Sequence, residues 1–170
     1  MSDAPFYGKY RGTVINNIDP LQIGRIQVQV PDVSGLLPSS WAMPCVPVAG
    51  SNMGMFTVPP LGAGVWVEFE RGDPDYPIWV GGYWGSPAET PALAKTVPVG
   101  LAGITLQTTL KNGITISDAP GPSGGILIQS SLGAMISVSD FGIVISNGKG
   151  AIVNMTGPTT DLNSGALTVI

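Results

Sequence analysis

Residues 65–85 read VWVEFERGDPDYPIWVGGYWG, a stretch that predicts two strands joined by a tight acidic turn. Val65, Val67 and Phe69 alternate with Trp66, Glu68 and Glu70, the period of two expected of a strand with one dry and one wet face. In the turn Gly72-Asp73-Pro74-Asp75, proline fixes its own φ and drives Asp73 out of the helical region. Gly72 tolerates angles that a Cβ would forbid. The second arm runs from Pro77 through Trp79 to Trp84. Three of the four tryptophans lie in this stretch, which marks the place where a compact β-domain closes its core.

Upstream, residues 7–15 (YGKYRGTVI) and 24–30 (GRIQVQV) read as two further strands, the second alternating Ile26, Val28 and Val30 with Arg25, Gln27 and Gln29. Residues 41–48 (WAMPCVPV) form a strand interrupted by Pro44 and Pro47, which lack the ladder donor and place it at an edge or a bulge. Cys45, between Pro44 and Val46, is expected to be a small buried hydrophobe. A Gly/Pro/Met loop over residues 49–64 has a short strand-like core at 55–58. About five short strands in residues 1–85 fit a five-stranded OB-type barrel better than a sandwich.

Residues 86–99 (SPAETPALAKTVPV) read as a Pro/Ala linker, held extended by Pro87, Pro91 and Pro98. From residue 100 to 170 the chain becomes a repeat in which glycine is followed by alternating aliphatics and then by small polar residues. Its units are GITLQTT at 103, GITISDA at 113, GILIQSS at 125, GAMISVSD at 133, GIVISNG at 142, GAIVNMTG at 150 and GALTVI at 165. Stacked β-units of this kind bury little alone. The expected inward set is Ile104 and Leu106, Ile114 and Ile116, Ile126 and Ile128, Ile136 and Val138, Ile143 and Ile145, Leu167 and Val169. Strands this short do not wrap a full coil in one chain, so several identical chains, most economically three, wind together and cover one another's edges.

Composition narrows the function classes. Hydrophobic residues reach 44% and charged residues only 11%, with 24 glycines and 16 prolines, which points to an all-β chain. Seven Lys plus Arg are scattered and the net charge is −4, against the clustered cations that nucleic-acid binding needs. Histidine is absent, which removes the commonest general base and metal ligand and every Ser-His or Cys-His system. The opening residues MSDAPFYGKYRG have no apolar core of a secretion signal, so synthesis in the cytoplasm without a cleaved leader is expected.

An OB-type domain followed by a glycine-punctuated β-repeat resembles the central spikes of contractile injection systems: phage baseplate assembly protein V and the VgrG spike of type VI secretion. The most specific part is Pro60, Gly62, Val65, Val67, Phe69, Gly72, Asp73, Pro74, Asp75, Pro77 and Gly81, in the family's order and spacing. The resemblance implies a homotrimer at the centre of the baseplate of a phage tail or injection particle. Its OB domains would dock on a hub protein, and an intertwined triple-stranded β-helix would serve as the needle that punctures the target cell envelope. Some relatives hold iron through a His-x-His tip, which a chain without histidine does not carry over. The apolar end Ala166-Leu167-Thr168-Val169-Ile170 implies a separate cap of the PAAR-repeat type, seated on Leu167, Val169 and Ile170.

The residues themselves suggest no catalytic, cofactor or metal site, so no enzymatic activity is expected. Glu68 and Glu70 read as a solvated strand face. Asp73 and Asp75 read as turn formers, and Lys149 between two glycines lacks the rest of a phosphate loop. Trp66, Asp73, Asp75, Trp79 and Trp84 are assigned to a platform for the hub and the trimer. The alternative is an OB-fold binding module on which the aromatics stack nucleic acid or glycan.

Overall fold

The computed structural model describes residues 5–121 and 124–169, with side chains through residue 167. Residues up to Pro87 form one compact unit and those from Ala88 onward a second. The first contains strands β1 (Tyr10–Asn16), β2 (Gln27–Gln29), β3 (Met43–Pro44), β4 (Ala49–Gly50), β5 (Met53–Gly54), β6 (Gly64–Phe69) and β7 (Pro77–Tyr83), with one helical turn, α1 (Pro31–Ser34). The second contains β8 (Gly103–Gln107), β9 (Gly113–Ser117), β10 (Gly125–Gln129), β11 (Met135–Ser139), β12 (Gly142–Ser146), β13 (Ile152–Thr156), β14 (Thr159–Leu162) and β15 (Leu167–Val169). Both units are all-β, the first an OB-type curled sheet and the second a glycine-punctuated meander.

In the OB unit the five-stranded sheet runs β2-β1-β6-β7-β3. The proline-containing strand takes an edge, as its missing donors require, and is cut to two residues that pair parallel to β7. Two bulges curl the sheet: one between Val14 and Asn16, the other where Trp66 opposes Gly81 but Val67 opposes Trp79. The edges then meet through a reciprocal pair of hydrogen bonds, Ile26 N donating to Ala42 O at 3.2 Å and Ala42 N to Ile26 O at 2.8 Å. Val14, Ile26, Val28, Val30, Ala42, Val65, Val67, Phe69 and Trp79 fill the interior. Phe6 and Tyr10 cover one end, with ring centroids 6.2 and 5.6 Å from that of Phe69.

The loop between β1 and β2 is tied down by one carboxylate. Asp19 accepts from the backbone N–H groups of Leu21, Ile23 and Arg25, and from Nε and Nη2 of Arg25 at 3.0 and 2.7 Å. The Arg25 guanidinium, aided by these backbone donors against an opposing effect of burial, holds the Asp19 carboxyl well below the usual carboxylate range. Arg25 lies 5.3 Å over the Trp41 ring. The indole Nε1 of Trp79 reaches out of the core to donate to Gly24 O at 3.1 Å.

The acidic turn is close to its expected form. Tyr76 N donates to Asp73 O at 3.1 Å and Asp75 N to Asp73 Oδ1 at 3.0 Å, so Asp73 is a turn former. Gly72 sits at φ +77°, and a Cβ there would lie 2.6 Å from that of Pro5, so both backbone angle and close approach require glycine. Cys45 differs from expectation. Its amide donates to Trp79 O at 3.0 Å, but the residue is exposed rather than buried.

The second unit is one antiparallel meander of eight strands in chain order, β8 through β15. Seven correspond to the glycine-led repeats. The eighth, β14, follows Gly157-Pro158 and lacks the glycine-aliphatic opening. Glycine leads strands where the chain must approach a neighbour with positive φ, as at Gly125 (φ +79°), where a Cβ would run into the Val138 carbonyl. The proposed spacer over residues 86–99 is instead partly structured, with a 3₁₀ turn at Leu93–Thr96. Leu93 is buried against Gly113 and its amide donates to the Gln107 side chain at 2.9 Å, because the absent Gly113 Cβ leaves room for it.

Two stability tests follow from the barrel. Ile26 is fully buried at the closing bridge, so Ile26→Ala should lower the unfolding free energy by about 2–5 kcal/mol in denaturant titrations. Asp19 has a folded-state pKa below its unfolded value of about 3.9, so its contribution is full above that pH and fades as pH falls further. Asp19→Asn should therefore lower the unfolding midpoint at neutral pH, and the gap from the parent protein should narrow as titration proceeds below about pH 4.

Candidate functional site

The antiparallel register of the second unit brings the repeat's aliphatics into two continuous rows on one face. In the first row Ile104 opposes Ile116, which opposes Ile126, and the row continues through Val138, Ile143 and Met155. The second passes from Leu106 through Ile114, Ile128, Ile136, Ile145 and Val153 to Leu162 and Leu167. Since each strand contributes residues two apart, both members point the same way. Val153, Met155 and Leu162 complete rows that the repeat pattern alone leaves broken.

These rows face outward within the single chain. Ile104 is 62% exposed, Ile116 43%, Ile128 44% and Ile145 42%, whereas Thr115 and Ser117 on the opposite face are only 4% and 6% exposed. The usual arrangement of a half-buried sheet is thus inverted. The 3₁₀ turn at Leu93–Thr96 and Val97 cover the small and polar face at β8 and β9. Ser117 Oγ accepts from Ala119 N at 3.1 Å there. Among the described residues no charged side chain stands in the aliphatic rows. Lys111, Asp118, Asp140 and Lys149 all lie in connections between strands, and Asp161 on β14 pairs across from Asn154 on the other face. An apolar surface of this extent and regularity, with charge excluded, is an assembly surface.

The residues assigned to a hub and trimer platform are not brought together. Trp79 is a core residue, 6% exposed, and is removed from the platform. The reason is the bulge at Val80. Before it Pro77 and Trp79 point inward, but after it Tyr83 packs against Trp66 on the outer face, with ring centroids 5.1 Å apart. Trp66 is half-buried, and Arg11 lies 5.5 Å over its ring and 5.3 Å over that of Tyr83. Trp84, past the strand, is 63% exposed. Asp73 and Asp75 are exposed at the turn joining β6 to β7. Glu68 pairs with Lys9, and Glu70 has left the strand. Lys149 belongs to a turn in which Asn147 Oδ1 accepts from the amides of Lys149 and Ala151 at 2.8 and 3.0 Å.

Of the residues assigned to tip docking, Leu167 is 55% exposed at the end of the second row. Val169 lies in β15 opposite Thr160, while Ile170 falls outside the described residues. Two exposed apolar features of the OB unit were not anticipated. One is the pair Leu36 and Leu37 after α1, the other a surface around Met43, Met53, Met55 and Phe56. The strings GLLP and NMGMF were the available signals. Among the described residues no three His, Cys, Asp or Glu side chains group as metal ligands, and no helix is long and apolar enough to cross a membrane.

No curated protein matches the chain. Two families do. Residues 10–84 match the type VI secretion system/phage-baseplate injector OB domain. Residues 103–168 match the phage baseplate V C-terminal trimerisation domain. The second match coincides with the strands that carry the two aliphatic rows. With both domains present in order and together spanning most of its length, the chain belongs to the baseplate V family of phage and type VI secretion spike proteins.

Proposed function

We propose that three copies of this chain pack their aliphatic rows around a common axis to make the spike at the centre of a contractile injection particle or phage tail. The observation that carries this reading is the double row on β8–β15, left 42–62% exposed at Ile104, Ile116, Ile128 and Ile145 in a single chain. Burying it removes from water the side chains that otherwise form a hydrophobic core, at roughly 25 cal/mol per Å² of apolar area. Three sheets that share such a core are stiff, because bending the rod would open close-packed contacts.

The mechanism is mechanical. Thrust from a contracting sheath enters through OB domains docked on a hub protein and passes down the shared core to the tip. A separate PAAR-type tip protein covers the apolar end around Leu167 and Val169, and the capped needle breaches the target cell envelope. No bond-making chemistry is assigned to the chain. The Arg11, Trp66 and Tyr83 cluster favours one other reading, an OB-domain platform that stacks a glycan or a base. Oligonucleotide or oligosaccharide affinity lost on Trp66→Ala would support that alternative.

Light scattering of the purified chain should give three times the 17.5 kDa protomer mass. Placing charge in both rows, Ile126→Asp with Ile136→Asp, should shift the population to monomer. All four tryptophans lie between residues 41 and 84, so unchanged tryptophan fluorescence would show that the OB unit remains folded. A monomeric parent chain would overturn the proposal.

A further inference from the structure

The OB unit carries two exposed apolar features, one projecting and one concave. Leu36 and Leu37 project from a structured turn and are 85% and 69% exposed. The turn is held by Gly35 N donating to Pro31 O at 3.2 Å, Leu37 N to Ser34 O at 3.2 Å, and Ser34 Oγ to Leu37 O at 3.2 Å. Gly35 at φ +60° makes the bend, and Pro38 bridges to Gln29. The two leucines are thus a fixed knob whose side chains are held out into solvent.

The second feature is an open groove of about 350 Å³ lined by Met43, Pro44, Val48, Met53, Met55 and Phe56 among others, none of them charged. The β4–β5 hairpin forms one wall, closed by Met55 N donating to Val48 O at 3.0 Å. Met53 and Phe56 are 64% and 67% exposed. Methionine-lined walls adapt readily to branched aliphatic side chains.

Knob and groove lie off opposite ends of β2. Pro38 pairs at Gln29, whereas Ile23 and Gly24, before the strand, line the groove. The residues between span about 15 Å at roughly 3.3 Å each, so a chain does not fill its own groove with its own knob. We infer that the Leu36–Leu37 knob of one copy seats in the Met43–Phe56 groove of the next, closing a three-membered ring of OB domains. A contact between two different patches closes only if the rotation it imposes matches the symmetry of the assembly. The trimerisation domain supplies that threefold symmetry and tethers the OB domains at high effective concentration. Neither the two leucines nor the groove lining carries charge, so seating one in the other strands no ion within the contact. This inference rests on the trimer proposed above.

The test uses the single native cysteine. Cys45 is exposed and stands between Pro44 and Val46, both of which line the groove. In the full chain carrying Leu36→Cys, and separately Leu37→Cys, a short bismaleimide should join neighbouring copies into a covalent trimer on a denaturing gel. Adding Cys45→Ser should abolish the trimer band, and the parent chain should not form it. Tryptophan fluorescence and light scattering accompany each variant. Trimeric mass with neither variant cross-linked would overturn the knob-in-groove contact and leave the spike trimer standing. Monomeric mass would overturn both.

Discussion

An eight-stranded sheet that keeps its aliphatic residues on the wet face imposes the governing constraint on this protein. The two rows from Ile104 and Leu106 to Met155 and Leu167 are in register because every pair of neighbouring strands is antiparallel and joined by a short connection. The rows stand exposed among the described residues of the unit. The part of the other face that is covered, on β8 and β9, is built largely of glycine, threonine and serine, and the glycines let Leu93 and Val97 pack closely. Among the described residues charge is displaced to the connections and, at Asp161, to the other face, where it does not oppose burial of the rows. A polypeptide arranged this way reaches a conventional core only by association, which is why trimerisation and fold are a single problem in this domain.

The OB unit solves the opposite problem, closure within one chain. Two bulges curl the sheet until its edge strands meet at Ile26 and Ala42, and nine side chains fill the enclosed space. Its loops are held by side-chain chemistry, with Asp19 organising five donors and Trp79 anchoring Gly24 from inside. Rigid loops present fixed surfaces, and fixed apolar surfaces suit docking. The two units therefore reach a dry core by different routes, one by closing on itself and the other by leaving its aliphatic rows for association.

Much of this was legible in residue order. Alternation in 65–69 and 26–30 identified core strands, the two prolines of 41–48 placed that segment at an edge, and glycine spacing exposed the repeat and its aliphatic rows, which were expected to point inward and stand exposed in the single chain. Illegible features share a cause. Trp79 and Tyr83 have the same parity, yet a bulge at Val80 sends one into the core and the other to the surface. Leu93 in the supposed spacer is buried because Gly113, twenty residues on, lacks a side chain. Cys45 is exposed although its neighbours are apolar, and β14 follows its glycine, Gly157, with Pro158 where its siblings carry an aliphatic residue.

Sequence by itself determined the class, the division into barrel and repeat, and the exclusion of histidine chemistry, because composition and short-period alternation are local properties carried by adjacent residues. Tertiary structure alone decided which face of each strand is covered, how the barrel edges meet, and where the Leu36–Leu37 knob and the methionine-lined groove stand on the OB unit. Those depend on bulges and on pairings between residues far apart in the chain. A single inserted residue reverses the parity of everything after it, so no reading of neighbours along the chain fixes which side chains finally share a surface.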